Sequence, residues 1–211
     1  MKKLTLQVIK ILFIVLVLGF LVLSFNYTKN TDTIRLKMRS LWSEHVWWTR
    51  EYLLAALQKT LNVTAAANRL MKNQEDIGKA FGAYYGKDVG NDLTTLLKTH
   101  ISIATDITSK LNSPTLSDTT TKWKSNARDI ANFIFKYTKQ CPESLYTMML
   151  HHLDLTTNEL MNIKNIQYDK SVVSFNDVLY EAYQMADELT EGIVNTNKWV
   201  VYTSFKLPCC K

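Results

Sequence analysis

The chain has 211 residues, 46% hydrophobic and 21% charged, which excludes a disordered polymer and suits one globular domain plus one anchor. Six Gly and three Pro leave too little turn chemistry for a many-stranded sheet, so long helices are expected. The net charge of +6 does not mark a nucleic-acid binder: residues 1–40 hold seven Lys or Arg against Asp32, while residues 41–211 balance 18 basic with 18 acidic residues.

In chain order, the first element is the apolar run Val8–Phe25, interrupted by Lys10 and flanked by Lys2, Lys3 and Lys29. Its uninterrupted part, Ile11 to Phe25, falls short of the roughly 20 residues that cross a bilayer, but Leu4, Leu6, Val8 and Ile9 extend it. Lys10 can reach back toward lipid headgroups. A cleaved secretory signal is the competing interpretation, yet Phe25, Asn26 and Tyr27 make a poor cleavage site. The pattern therefore predicts a single-pass membrane anchor, with the lipid bilayer as a partner. Basic residues on both sides leave the orientation open. Sequons at Asn26 and Asn62 permit glycosylation without arguing for it.

A polar connector, Asn26–Asp32, is expected next, and then successive amphipathic helices. The first runs from Thr33 to about Thr60 and sets Leu41, His45, Trp48, Tyr52 and Ala55 on one face. The second, capped by Asn62 or Thr64, closes on Gly86. Asp88 to Leu111 carries the seam Leu93, Leu97, His100, Ala104, Ile107 and Leu111, ending before Pro114. A fourth helix starts at Ser117 or Asp118, with Trp123, Ala127, Ile130, Ile134 and Tyr137 inward. Pro142 opens a fifth, whose seam is Leu145, Met149, His152, Thr156, Glu159 and Ile163. The sixth spans about Asp169 to Ile193, with Leu179, Tyr183, Ala186 and Ile193 facing in. Short loops make this an all-α, up-and-down antiparallel helical bundle behind a single N-terminal transmembrane helix. The expected division is 1–32 anchor and connector, 33–196 bundle, and 197–211 an aromatic, basic tail with Cys209 and Cys210. Those cysteines suit lipidation or intermolecular pairing, and Cys141 reads as a lone thiol.

Three of four histidines thus sit on the packing seams of three helices. Histidine and carboxylate side chains facing a bundle interior can hold zinc or iron, so His45, His100, His152, Glu44, Asp76 and Glu159 are the candidate metal ligands. Di-iron bundles need Glu-x-x-His pairs, and this chain has none. The simpler expectation is structural: each buried His or Asn bonds a carboxylate on a neighbouring helix and fixes register. No cofactor is expected. No nucleophile lies in a recognisable catalytic setting, and the acid pairs Glu75/Asp76 and Glu188/Glu191 read as solvated faces, so an enzyme is not expected.

Several motifs, LWxxHVxWTR at 41–50, NQxDIGxA at 73–80, HLDLTTxE at 152–159 and MADxLTxGI at 185–193, occur in one order. Together with Tyr84-Tyr85-Gly86, His100-Ile101 and Asn126-Ala127-x-Asp129-Ile130, they resemble a mostly bacterial family of helical proteins of unassigned activity. Some members carry an amino-acid kinase label, which glycine-rich phosphate loops would have to support, and none is present. The resemblance implies a helical bundle and polar motif residues Glu44, His45, Asn73, Asp76, His100, Asn126, Asp129, His152, Glu159 and Asp187. The expected role is a membrane-anchored, non-enzymatic structural or interaction protein, an envelope or viral-membrane component, with a protein partner or self-association. The alternative is a membrane-tethered metal or small-ligand binding module built on the histidine layer.

Overall fold

A computed structural model describes residues 2–197, with backbone alone for 2–7 and 25–30. Six helices follow one another: α1 Lys2–Gln58, α2 Val63–Tyr85, α3 Lys87–Ser109, α4 Leu116–Thr138, α5 Pro142–Lys164 and α6 Tyr168–Thr196. No strand occurs among the described residues. The segment from Trp199 onward, with Cys209 and Cys210, lies outside them, as does the side chain of Asn26.

Two compact units divide at Lys37/Met38. In the first, the backbone stays helical through Asn26–Asp32, where a connector was expected. Nothing there stops a helix: the segment holds neither Gly nor Pro, and Arg35 donates to Asp32 one turn back at 2.9 Å. From Val8 to Leu23 the large apolar side chains are exposed, Leu16 at 73% and Val17 the least at 41%. Among the described residues no helix is long and apolar enough to cross a membrane. The apolar side chains described within that stretch, residues 8–24, cover about 25 Å of helix against about 30 Å of hydrocarbon.

The second unit is the bundle. Consecutive helices pack, α2 on α3, α3 on α4, α4 on α5 and α5 on α6, and α4 also meets α6. The part of α1 within this unit contributes Met38, Leu41, Trp42, Val46 and Leu53 to the core. The α5 seam is buried along its whole length. On α6 the buried line is Phe175, Val178, Ala182, Met185 and Leu189, so Leu179 and Tyr183, expected inward, are only half-buried.

The connections differ from expectation in their caps. Asn62 occupies the N-cap of α2 with no side-chain cap bond, and Thr115, not Ser117 or Asp118, is the N-cap of α4. Gly86 closes α2 at φ +102°, a value that favours glycine. Pro142 stands in the first turn of α5, where its missing N–H costs nothing.

Glycine also sets the α2–α3 crossing. A Cβ on Gly78 would lie 1.9 Å from Thr94 Oγ1 and 2.5 Å from the Gly90 carbonyl oxygen. A Cβ on Gly90 would meet the Gly78 carbonyl oxygen at 2.5 Å and Gly82 Cα at 3.0 Å. The two backbones touch because these positions have no side chain.

Candidate functional site: a three-histidine layer

The seam histidines come from α1, α3 and α5, and each bonds the next helix along the chain. His45 on α1 meets Gln74 on α2 at 3.2 Å, His100 on α3 meets Asn126 on α4 at 2.8 Å, and His152 on α5 meets Glu181 on α6 at 2.9 Å. All three are buried, at 5%, 4% and 3% exposure. The His45 and His152 rings lie 5.7 Å apart, and His100 is within electrostatic reach of both. Tryptophans flank two of them: Trp42 edges onto His45 at 5.8 Å and Trp123 tilts against His100 at 5.2 Å.

The hydrogen bonds fix the tautomers. Asn126 Nδ2 donates to the Leu96 carbonyl, so its Oδ1 faces His100 and Nδ1 of that ring carries the proton. His152 likewise donates from Nδ1 to Glu181 Oε2. His45 is the reverse. Gln74 Nε2 is held by the Leu70 carbonyl at 2.9 Å and Asn73 Oδ1 at 3.2 Å, and Asn73 Nδ2 is in turn spent on the Leu41 carbonyl. Gln74 therefore turns its N–H side toward the ring, its two hydrogens are shared among three acceptors, and His45 Nδ1 is one of them.

Burial, then the neighbouring imidazoles, push His45 well below the usual histidine range. Burial and His152 take His100 down to about 3, against the pull of Asn126. Both are neutral at pH 7.

The candidate carboxylates are engaged elsewhere. Glu44 pairs with Arg69 at the half-exposed edge of α2, and Asp76 pairs with Lys72 at 2.6 Å. Glu159 is buried at 1% exposure and bonds Arg50 Nη1 at 2.5 Å. Arg50 Nη1 also donates to Ser171 Oγ at 3.0 Å and to the Ser171 carbonyl oxygen. Burial raises Glu159 to about 7 despite Arg50, so its carboxylate form is poorly tolerated. Among the described residues no group of three or more His, Cys, Asp or Glu side chains could hold a metal ion.

The other motif residues fall into place as supports. Asn73 is fully buried in the Gln74 network, and Asp187 grips Arg39 through both oxygens at 2.7 and 2.5 Å. Asp129, also among the motif residues, is exposed and supports nothing in the core. Three functional partners lay outside the expected set: Arg50, Gln74 and Glu181. Gln74 and Arg50 stood inside quoted motifs, while Glu181 is marked only by its helical spacing, three residues after Val178 and four before Met185.

Two small interior cavities adjoin the layer's surroundings. One, of about 20 Å³, is lined by Leu53, Leu70, Ile101, Trp123 and Thr156, and the other, also about 20 Å³, by Trp42, Ile134, Met149 and Met185. Each has room for about one water.

No family model, curated protein or solved structure matches this chain.

Proposed function

We propose that this chain is a membrane-anchored, non-enzymatic helical-bundle protein whose role is structural or interactive. The observation that supports the reading most directly is the exposed apolar surface of residues 8–24, present on every side of the helix and interrupted only by Lys10 among charged residues. A helix apolar all round has no aqueous face, so hydrocarbon is the medium it fits. With Leu4, Leu6 and Phe25 the stretch reaches 22 positions, about 33 Å of helix, which matches a bilayer core. The buried histidines and the Arg50–Glu159 pair each meet a partner on a neighbouring helix, an arrangement that fits a scaffold.

Alkaline carbonate extraction of membranes from cells making the full chain tests the anchor. The chain is expected to stay in the pellet until detergent is added, and a version lacking residues 2–25 is expected in the supernatant. Release of the full chain by carbonate alone would overturn the anchor. Elemental analysis of the purified chain is expected to find no stoichiometric metal. Finding one, lost on His100→Gln, would make the binding-module reading primary.

A further inference from the structure

We propose that the histidine layer is an acid-sensitive latch: His45 and His100 keep the bundle closed only while uncharged, and acidification releases it cooperatively. The inference does not depend on the membrane anchor.

Three features of the geometry carry it. First, both side chains are buried and their hydrogen-bond partners are amides, Gln74 and Asn126, which cannot neutralise a gained charge. Second, His45 Nδ1 is the acceptor for Gln74 Nε2, so a proton placed there turns one N–H against another. Gln74 cannot answer by flipping its amide, because that would aim its oxygen at the Leu70 carbonyl and at Asn73 Oδ1, both acceptors. Third, the His152 ring lies 5.7 Å from His45, a second imidazole whose field makes a proton on His45 harder to accept inside the fold. The unfolded chain has none of these constraints and takes up each proton independently. Since each histidine ties together one helix pair, losing the layer loosens α1 from α2 and α3 from α4.

The titratable and charged groups around the layer are Arg50 on α1, His152 and Glu159 on α5, and Glu181 on α6. The polar groups that α2 and α4 turn toward it are the amides Asn73, Gln74 and Asn126. Folded His45 and His100 lie below the unfolded histidine value, so the unfolded chain binds more protons and stability falls as pH drops below about 6.5. Each imidazole then raises the unfolding equilibrium by up to about tenfold per pH unit. Glu159 acts oppositely. Its folded value is raised to about 7, so it favours the fold below the unfolded carboxyl value and that contribution is lost as pH rises through 7. Near pH 5 two histidines against one carboxyl leave a net rise of about tenfold per pH unit.

The test is denaturant unfolding of the full chain in detergent micelles at pH 7, 6 and 5, read by helix circular dichroism and by tryptophan emission. Trp42 and Trp123 lie against the two rings and report on them. The wild type is expected to unfold at progressively lower denaturant as pH falls. His45→Gln/His100→Gln, which puts a hydrogen-bonding but non-titrating amide at each position, is expected to lose that dependence. Unfolding midpoints equal at pH 7 and 5, or a double variant with the wild-type slope, would overturn the latch. If the double variant does not fold, nuclear magnetic resonance of the wild-type imidazoles decides: both must stay neutral until the bundle opens, and titration of either ring within the intact fold rejects the proposal.

Discussion

The α2–α3 crossing and the histidine layer join helices in opposite ways. At the crossing, Gly78 and Gly90 have no side chain, and the backbones meet with Gly78 O within 2.5 Å of where a Gly90 Cβ would stand. At the layer, α1, α3 and α5 each send an imidazole to a polar mate on the helix that follows. The first contact is intolerant of added volume but indifferent to charge. The second tolerates some change of shape but not an unpaired donor or a new charge. One bundle thus carries a steric and an electrostatic lock, and substitutions should separate them.

The largest effect is expected where the polar lock includes ions. Removing Glu159 as Glu159→Leu leaves the Arg50 guanidinium at 13% side-chain exposure without its carboxylate, and arginine cannot shed its proton. A loss of about 3–5 kcal/mol is expected. Arg50→Met should cost less, about 2 kcal/mol, because the stranded carboxyl can take up a proton and Glu159 is already raised to about 7. Urea unfolding of both variants at pH 7 checks the asymmetry. Equal losses would mean that Glu159 stays ionised when alone.

The steric lock comes next. Gly78→Ala places a methyl 1.9 Å from Thr94 Oγ1 and 2.5 Å from the Gly90 carbonyl, and only the threonine can rotate away. About 3 kcal/mol is expected, at the upper end for overpacking. At Gly82 the nearest atom, Gly90 Cα, is 3.2 Å from the added Cβ, so Gly82→Ala should cost about 1 kcal/mol. Thermal unfolding of the pair tests the order, and Gly82→Ala proving worse would contradict the crossing geometry. Asn126→Leu returns to the polar lock: His100 Nδ1 and the Leu96 carbonyl both lose their mate. About 2 kcal/mol is expected from equilibrium unfolding.

Spacing alone found much of this. All six residues on the α5 seam, Leu145 to Ile163, are buried, because the helical period reports which face turns inward. It does not report what that face meets. The histidines were expected to bond carboxylates, yet two bond amides, since a neutral imidazole gains a hydrogen bond from an amide without the burial of a charge. Arg50 stood inside a motif, but its partner was hidden for a different reason. Its long side chain crosses from the flank of the α1 seam to Glu159, a partner 109 residues away that no local pattern encodes. The α6 register was misread because that helix buries a broad face, including Ser171, Ser174, Glu181 and Gly192, rather than a narrow stripe. The connector failed because polarity was taken for a break, and polar residues without Gly or Pro continue a helix readily.

The smallest effect runs the other way and belongs to neither lock. Ile166, between α5 and α6, has φ +59° and is 72% exposed. A β-branched residue is crowded in that left-handed conformation, and no core contact compensates an isoleucine left in solvent. Lys59 and Lys139 share the positive φ, at +56° and +61°, but neither is branched at Cβ. Asparagine accepts the conformation through local bonding of its short side chain, so Ile166→Asn should stabilise the bundle by about 1 kcal/mol. Lys139→Asn, relieving less, should gain under about 0.5 kcal/mol. Both are read as a rise in the urea midpoint at constant slope. A gain at Ile166 that survives at pH 5 would also show the loop to be independent of the histidine layer, since relief of backbone crowding takes up no proton. If Ile166→Asn instead destabilises, that side chain makes a contact its exposure does not suggest, and the turn between α5 and α6 is held by packing rather than by its hydrogen bond from Ile166 N–H to the Ile163 carbonyl at 3.0 Å.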